Sequence, residues 1–148
     1  MFDIFKEKKK IDLSSLDKNT NEILVASILV ECAKSDGVLG NDEEQKIKTI
    51  LSKKLNLNDQ ELKEIFDEAL KDSDVRVELY SLTKKIRENF SHEEIIEIFV
   101  YMWEVILIDN MIDDFESSLM RKATGLFHLS GRDSAEAKKK AEDSISNQ

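Results

Sequence analysis

The sequence predicts an all-α fold: one seven-helix bundle built on an internal repeat with pseudo-twofold symmetry. Three observations carry this. Apolar residues recur at spacings of three and four along most of the chain, and no segment alternates strictly as a half-buried strand does. The 148 residues hold no proline and only four glycines, too few for the many turns of a sandwich or barrel. A short polar residue followed three positions later by glutamate precedes apolar runs at Asn58 and Glu61, at Ser91 and Glu94, and at Asp113 and Glu116. That pairing is a capping box, a helix start.

The elements follow in order. Residues 1–19 are an N-terminal segment and linker, and residues 20–148 form the helical domain. The first helix, from about Asn21 to Ser35, is apolar on nearly every side and should be buried. A second starts near Gly40 or Asn41 and carries Ile47, Ile50, Leu51 and Leu55 on one stripe. Asn58 opens the third, with Leu62, Ile65, Phe66, Ala69 and Leu70. A fourth, starting near Asp74, shows Val75, Leu79, Leu82, Ile86 and Phe90. Ser91 caps a fifth that is again apolar most of the way round, from Ile95 to Ile106. Phe115, Leu119, Ala123, Leu126 and Phe127 mark the sixth. Ser130 and Gly131 break the chain. The seventh, about 134–145, has only Ala137, Ala141 and Ile145 at helical spacing and is expected to fray.

Composition narrows the function. Hydrophobic residues make up 41% and charged residues 36%, which supports a core and excludes wholesale disorder. One cysteine and two histidines exclude a disulfide framework and a Cys/His zinc site. Cys32 sits in an apolar run and reads as a small core residue of a cytoplasmic protein. No secretory signal and no bilayer-spanning run is visible. Net charge is −9. Residues 1–10 carry four lysines against two acids, and residues 131–148 balance, which leaves −11 on residues 11–130. Such a body repels phosphate backbones, so no nucleic-acid partner is expected. Met1, Phe2, Ile4 and Phe5 ahead of Lys6, Lys8, Lys9 and Lys10 form an apolar tip with a basic collar. It suits peripheral contact with the inner face of a membrane or docking in a partner groove. The alternative is an end that folds back or stays disordered.

Sliding the chain on itself by 73 residues brings Glu31 onto Glu104, Asp36 onto Asp109 and Glu43 onto Glu116. Gly37 meets Asn110, the two residue types that best tolerate a left-handed backbone. The first, second and third helices then match the fifth, sixth and seventh, and the fourth is a connector. The third and seventh match least well, since the seventh lacks an apolar stripe.

The pattern Glu31, Asp36, Gly37, Glu43 resembles the tellurite-resistance TerB-like family, which includes the central domain of DjlA-type membrane-anchored co-chaperones. Glu104, Asp109, Asn110 and Glu116 repeat it, with Asn110 in place of the usual glycine. The resemblance covers about residues 20–130. It implies a seven-helix domain in a stress-response assembly near the membrane, with the matching acids as candidate metal ligands. No DnaJ-type segment follows, so a stand-alone module is expected.

Two readings of the acids stand side by side. Carboxylates at Glu31, Asp36, Glu43, Glu104, Asp109 and Glu116 suit a hard divalent cation, Ca²⁺, Mg²⁺ or Mn²⁺. Glu31 and Glu104 come from largely apolar helices, where an ionised carboxylate is costly without a partner. Neither loop has the spacing of an EF-hand. In the other reading the same acids only cap helices and hold tight loops. The expected function is a non-enzymatic module that binds a protein partner and a divalent cation. The alternatives are a purely structural adaptor and a metal-dependent enzyme. Ser91 with His92, Glu93 and Glu94 reads as a helix start rather than a catalytic group. His128 suits a helix end, and Trp103 a core position.

Overall fold

The computed structural model describes residues 20–34, 39–74, 79–109 and 114–146. These form seven α-helices and no strand: α1 Thr20–Ala33, α2 Asn41–Lys54, α3 Asp59–Asp74, α4 Leu79–Asn89, α5 His92–Ile106, α6 Asp114–Leu126 and α7 Gly131–Ser146. A short 3₁₀ turn, Leu107–Asp109, follows α5. The all-α expectation holds.

The two all-round apolar helices sit at the centre. On α1, Val25, Ala26, Ile28, Leu29, Val30 and Cys32 have no exposed surface. On α5, Ile98, Phe99 and Met102 are equally enclosed. These helices pack on each other, and each takes its largest contact from the third helix of its own unit: α1 from α3, α5 from α7. In the first unit α1, α2 and α3 all pack on one another; in the second α7 packs on α5, while α6 has its main contact with α4. Helix α4 joins the units and lies on α1 and α6. Phe99 is the hub of the second unit, meeting Trp103 and Phe127 edge-on at 6.4 and 6.1 Å between ring centroids, a favoured aromatic geometry.

Two expected helix starts stand as capping boxes. Asn58 and Glu61 exchange hydrogen bonds of 2.8 and 3.1 Å. Ser91 and Glu94 do the same at the head of α5. The box expected at Asp113 lies outside the described residues.

Three expectations are corrected. Helix α3 continues through Asp74, where the fourth helix was expected to begin. Helix α7 starts at Gly131 rather than near 134. Ser130 lies in the expected break, and it also caps the next helix: its hydroxyl accepts from the Asp133 N–H at 2.9 Å, and its own N–H donates to Asp133 at 3.1 Å. Aspartate does the work that glutamate does in the other boxes, and those hydrogen bonds hold the Asp133 carboxyl below its ordinary range. Nor is α7 poorly seated. Ala137 and Ala141 are buried, and two small side chains let its backbone approach α5 closely, so the match to α3 persists.

The repeat also changes register. The offset of 73 holds from Glu31 and Glu104 to the helix starts at Asn41 and Asp114. Helix α6 has 13 residues against 14 in α2, so the offset becomes 72 from there on. It then aligns Asn56 with His128, Asn58 with Ser130, and Ala69 with Ala141. Asn56 and His128 are the non-glycine residues with positive φ among those described, at 56° and 60°. Both end a helix in the same way. The Leu57 N–H reaches the Ser52 carbonyl and the Leu129 N–H reaches the Thr124 carbonyl, the six-to-one bond of a Schellman motif.

Candidate functional site

The six repeated acids do not share one fate. Glu104 is the most enclosed of those described, 4% exposed, on the last turns of α5. Its carboxylate meets the Lys46 ammonium at 3.3 Å. Lys46 belongs to α2, in the other unit, and lies three residues beyond Glu43, on the stripe that also buries Ile47 and Ile50. Burying either charge alone would cost several kcal/mol. Together they neutralise each other inside the fold. Tyr101, one turn back, is enclosed beside the Glu97 and Glu104 carboxylates. Burial first, and those charges second, hold its phenol protonated well above the ordinary 10.0.

Glu31 stands in the equivalent place on α1 and is partly buried. Its neighbour Cys32 has no exposed surface. Burial pushes the Cys32 thiol up from its ordinary 9.0, and the charges of Glu31 and Glu116 push it further. Two carboxylates from different units therefore act on one buried sulfur. A thiol held protonated in this way is a packing group, not a nucleophile. The geometry is crosswise. Glu104 of the second unit faces α2 of the first, and Glu31 of the first unit shares its surroundings with Glu116 on α6 of the second.

Glu43 folds back over the start of α2. A Cβ added to Gly40, the N-cap residue, would collide with the Glu43 carboxylate. Gly40 offers no side-chain cap of its own. Asp36 lies outside the described residues, as does the side chain of Asp109, whose backbone ends the 3₁₀ turn. That turn packs on α2 and α7. Among the described residues, no three His, Cys, Asp or Glu side chains gather as a metal-holding group.

Beside the ion pair runs an open groove of about 680 Å³, lined by Asp42, Gln45, Lys46, Thr49, Lys53 and Ile108. Its lining mixes both charges and holds no histidine or cysteine. His92 is exposed at the start of α5, 3.9 Å from Asp133. His128 is exposed at the end of α6. Trp103 is buried, as expected, with the Lys138 ammonium 5.4 Å above its ring.

Lys46 escaped the sequence reading because a lysine in a charged helix looks like a solvated one. The available signal was its position: it occupies the core-facing stripe of α2, where the matching place after Glu116 is held by Leu119.

Among the described residues, no helix is long and apolar enough to cross a membrane. Comparison with curated proteins and with solved structures returned no match. The sequence pattern of one family, described as Tellurite resistance protein TerB, matches residues 22–139. That span takes in both central helices, both acidic junctions and the start of α7. The chain belongs to the TerB tellurite-resistance family.

Proposed function

We propose that this chain is a non-catalytic module of a stress-response assembly, acting by binding a protein partner, with one divalent cation held at the junction of Glu31 and Glu116. The observation that carries the cation half is that Glu31 and Glu116, one from each unit, both act on the buried Cys32 thiol. A hard cation suits carboxylates arranged in this way. Asp36 and Asp109 are the further ligands that the repeated pattern offers. Ca²⁺, Mg²⁺ and Mn²⁺ all suit an oxygen donor set.

The interaction half is supported by family membership and by the burial of the reactive side chains. Cys32 and Tyr101 are enclosed and held protonated. A site in the cytoplasm, with peripheral membrane contact through residues 1–10, completes the reading.

Thermal unfolding tests the cation. The chelated protein is melted alone and with added Ca²⁺, Mg²⁺, Mn²⁺ or Zn²⁺, beside Glu31→Gln/Glu116→Gln and Glu104→Gln. Binding to the native state raises Tm by linkage. The expected result is a rise in the wild type and in E104Q that disappears in E31Q/E116Q. No rise in the wild type would leave the acids as architecture only. In-cell photo-crosslinking tests the interaction half, and failure to trap any protein partner would remove it.

A further inference from the structure

We infer that α4 is the docking face for a partner, and that the partner presents a short carboxylate-rich peptide segment whose acid takes the Arg87 guanidinium. This deepens the interaction reading above and rests on it.

Three observations converge on α4. The helix has no counterpart in the repeat, so its outer face is not needed for the pseudo-symmetric packing. Leu82, Thr83 and Ile86 turn inward, which puts Tyr80, Lys84 and Arg87 together on one flank at spacings of four and three. Tyr80 is 55% exposed and is the exposed large hydrophobic residue among those described.

The second observation is Arg87 itself. It is half-buried, and its Nε is shut off from water with no hydrogen-bond partner among the described residues. A buried donor left unmade carries a penalty, and each such case asks for a cause. The two terminal nitrogens of Arg87 are not enclosed in this way, and an arriving carboxylate would take both of them end-on, a bidentate arrangement.

The third is the pairing of charges. Lys46, Lys48, Lys63, Lys71 and Arg132 each meet a carboxylate within the protein. On α4, and on α6 which packs against it, Lys84, Lys85, Arg87, Arg121 and Lys122 have no such partner among the described residues. In a chain of net charge −9 these five bases outnumber the three acids of the same two helices, Glu88, Asp114 and Glu116, and Tyr80 stands among them.

The size of the occupant follows from screening. Charges beyond about 8 Å are largely screened at physiological ionic strength. A short acidic peptide therefore responds to the local bases. A membrane sheet or a nucleic acid spans far more surface and meets the acidic body as well. One exposed aromatic is also too little apolar surface for membrane insertion.

The test titrates the full ¹⁵N-labelled chain with a short synthetic peptide of aspartate and glutamate carrying one phenylalanine, followed by amide shifts. Saturable shifts concentrated on residues 79–90 are expected. Arg87→Lys keeps the charge but not the fork, and both it and Arg87→Gln should weaken binding about tenfold. Lys139→Glu/Lys140→Glu, a basic pair on α7, should change it by less than about twofold. Melting curves confirm that each variant is folded, and Tyr80→Ala and Lys84→Glu read the same face if Arg87 variants are not. Absence of saturable shifts overturns the proposal, and so does equal weakening by the α7 pair. Tighter α4-dependent binding to phosphatidylserine vesicles than to the peptide does the same. Shifts that saturate on another surface sink the α4 face while leaving the interaction reading intact.

Discussion

Lys46 and Glu104, drawn from different halves of the repeat, form a buried ion pair 3.3 Å across between α2 and α5, with side chains 7% and 5% exposed. Coulombic attraction at such a place only roughly offsets the cost of removing both ions from water. The pair therefore acts less as a source of stability than as a constraint on how the two units meet. Breaking it from one side leaves an uncompensated charge in the core.

The sign of each substitution follows. Lys46→Met or Glu104→Leu alone should destabilise the fold by about 3–5 kcal/mol, because the remaining ion is stranded. The double variant should recover most of that loss and equal or exceed the parent. Urea unfolding with an unchanged slope measures it. A double variant as unstable as the singles would show that the pair contributes net stability.

Asn56 and His128 hold the left-handed backbone that closes α2 and α6. Asparagine tolerates that conformation, whereas histidine carries more of the steric cost, and glycine carries none. His128→Gly should therefore stabilise the protein by up to about 1 kcal/mol, and Asn56→Gly by less. His128→Val should cost more than either gains. Differential scanning calorimetry orders the three, and a His128→Gly variant that melts lower would contradict the Schellman assignment.

Cys32 and Tyr101 give the stability an alkaline edge. Both are raised in the folded state, from 9.0 and 10.0. The folded protein keeps these protons while the unfolded chain loses them, so stability is full below pH 9 and falls as pH rises past it. Each group contributes a slope of about 1.4 kcal/mol per pH unit once its unfolded form ionises. Cys32→Ala should remove the part of the slope that begins near pH 9, leaving the part that begins near pH 10. An unaltered pH profile would show that the thiol is less enclosed than described. In the native protein the same thiol should resist alkylation until the fold opens.

The helices were legible because burial writes itself as spacing. Val25 to Cys32 and Ile98 to Ile106 are apolar all round because they lie at the centre. Asn58 and Ser91 were legible as caps because glutamate stands three residues on. Ser130 was not, since aspartate replaces glutamate and a glycine follows. The seating of α7 was hidden because alanine reads as weakly apolar, whereas Ala137 and Ala141 act through how near they let the backbones come. The repeated acids were visible as a pattern. The pairing of Glu104 with Lys46 of the other unit was not, because it depends on which helix of one unit crosses the other. No periodicity within a single helix reports that crossing.

Trp103 is the chain's sole tryptophan, enclosed on α5 with Phe99 edge-on at 6.4 Å and the Lys138 ammonium of α7 above its ring. The protein thus contains its own optical reporter, placed at the seam between the central helix and the last one. Peeling α7 away removes the cation from the indole and admits water, which shifts the emission to longer wavelength. The far-ultraviolet ellipticity of the other helices is untouched at that moment. Fluorescence and circular dichroism followed together through a melt therefore time the release of the C-terminal helix against the collapse of the whole bundle, with no label attached.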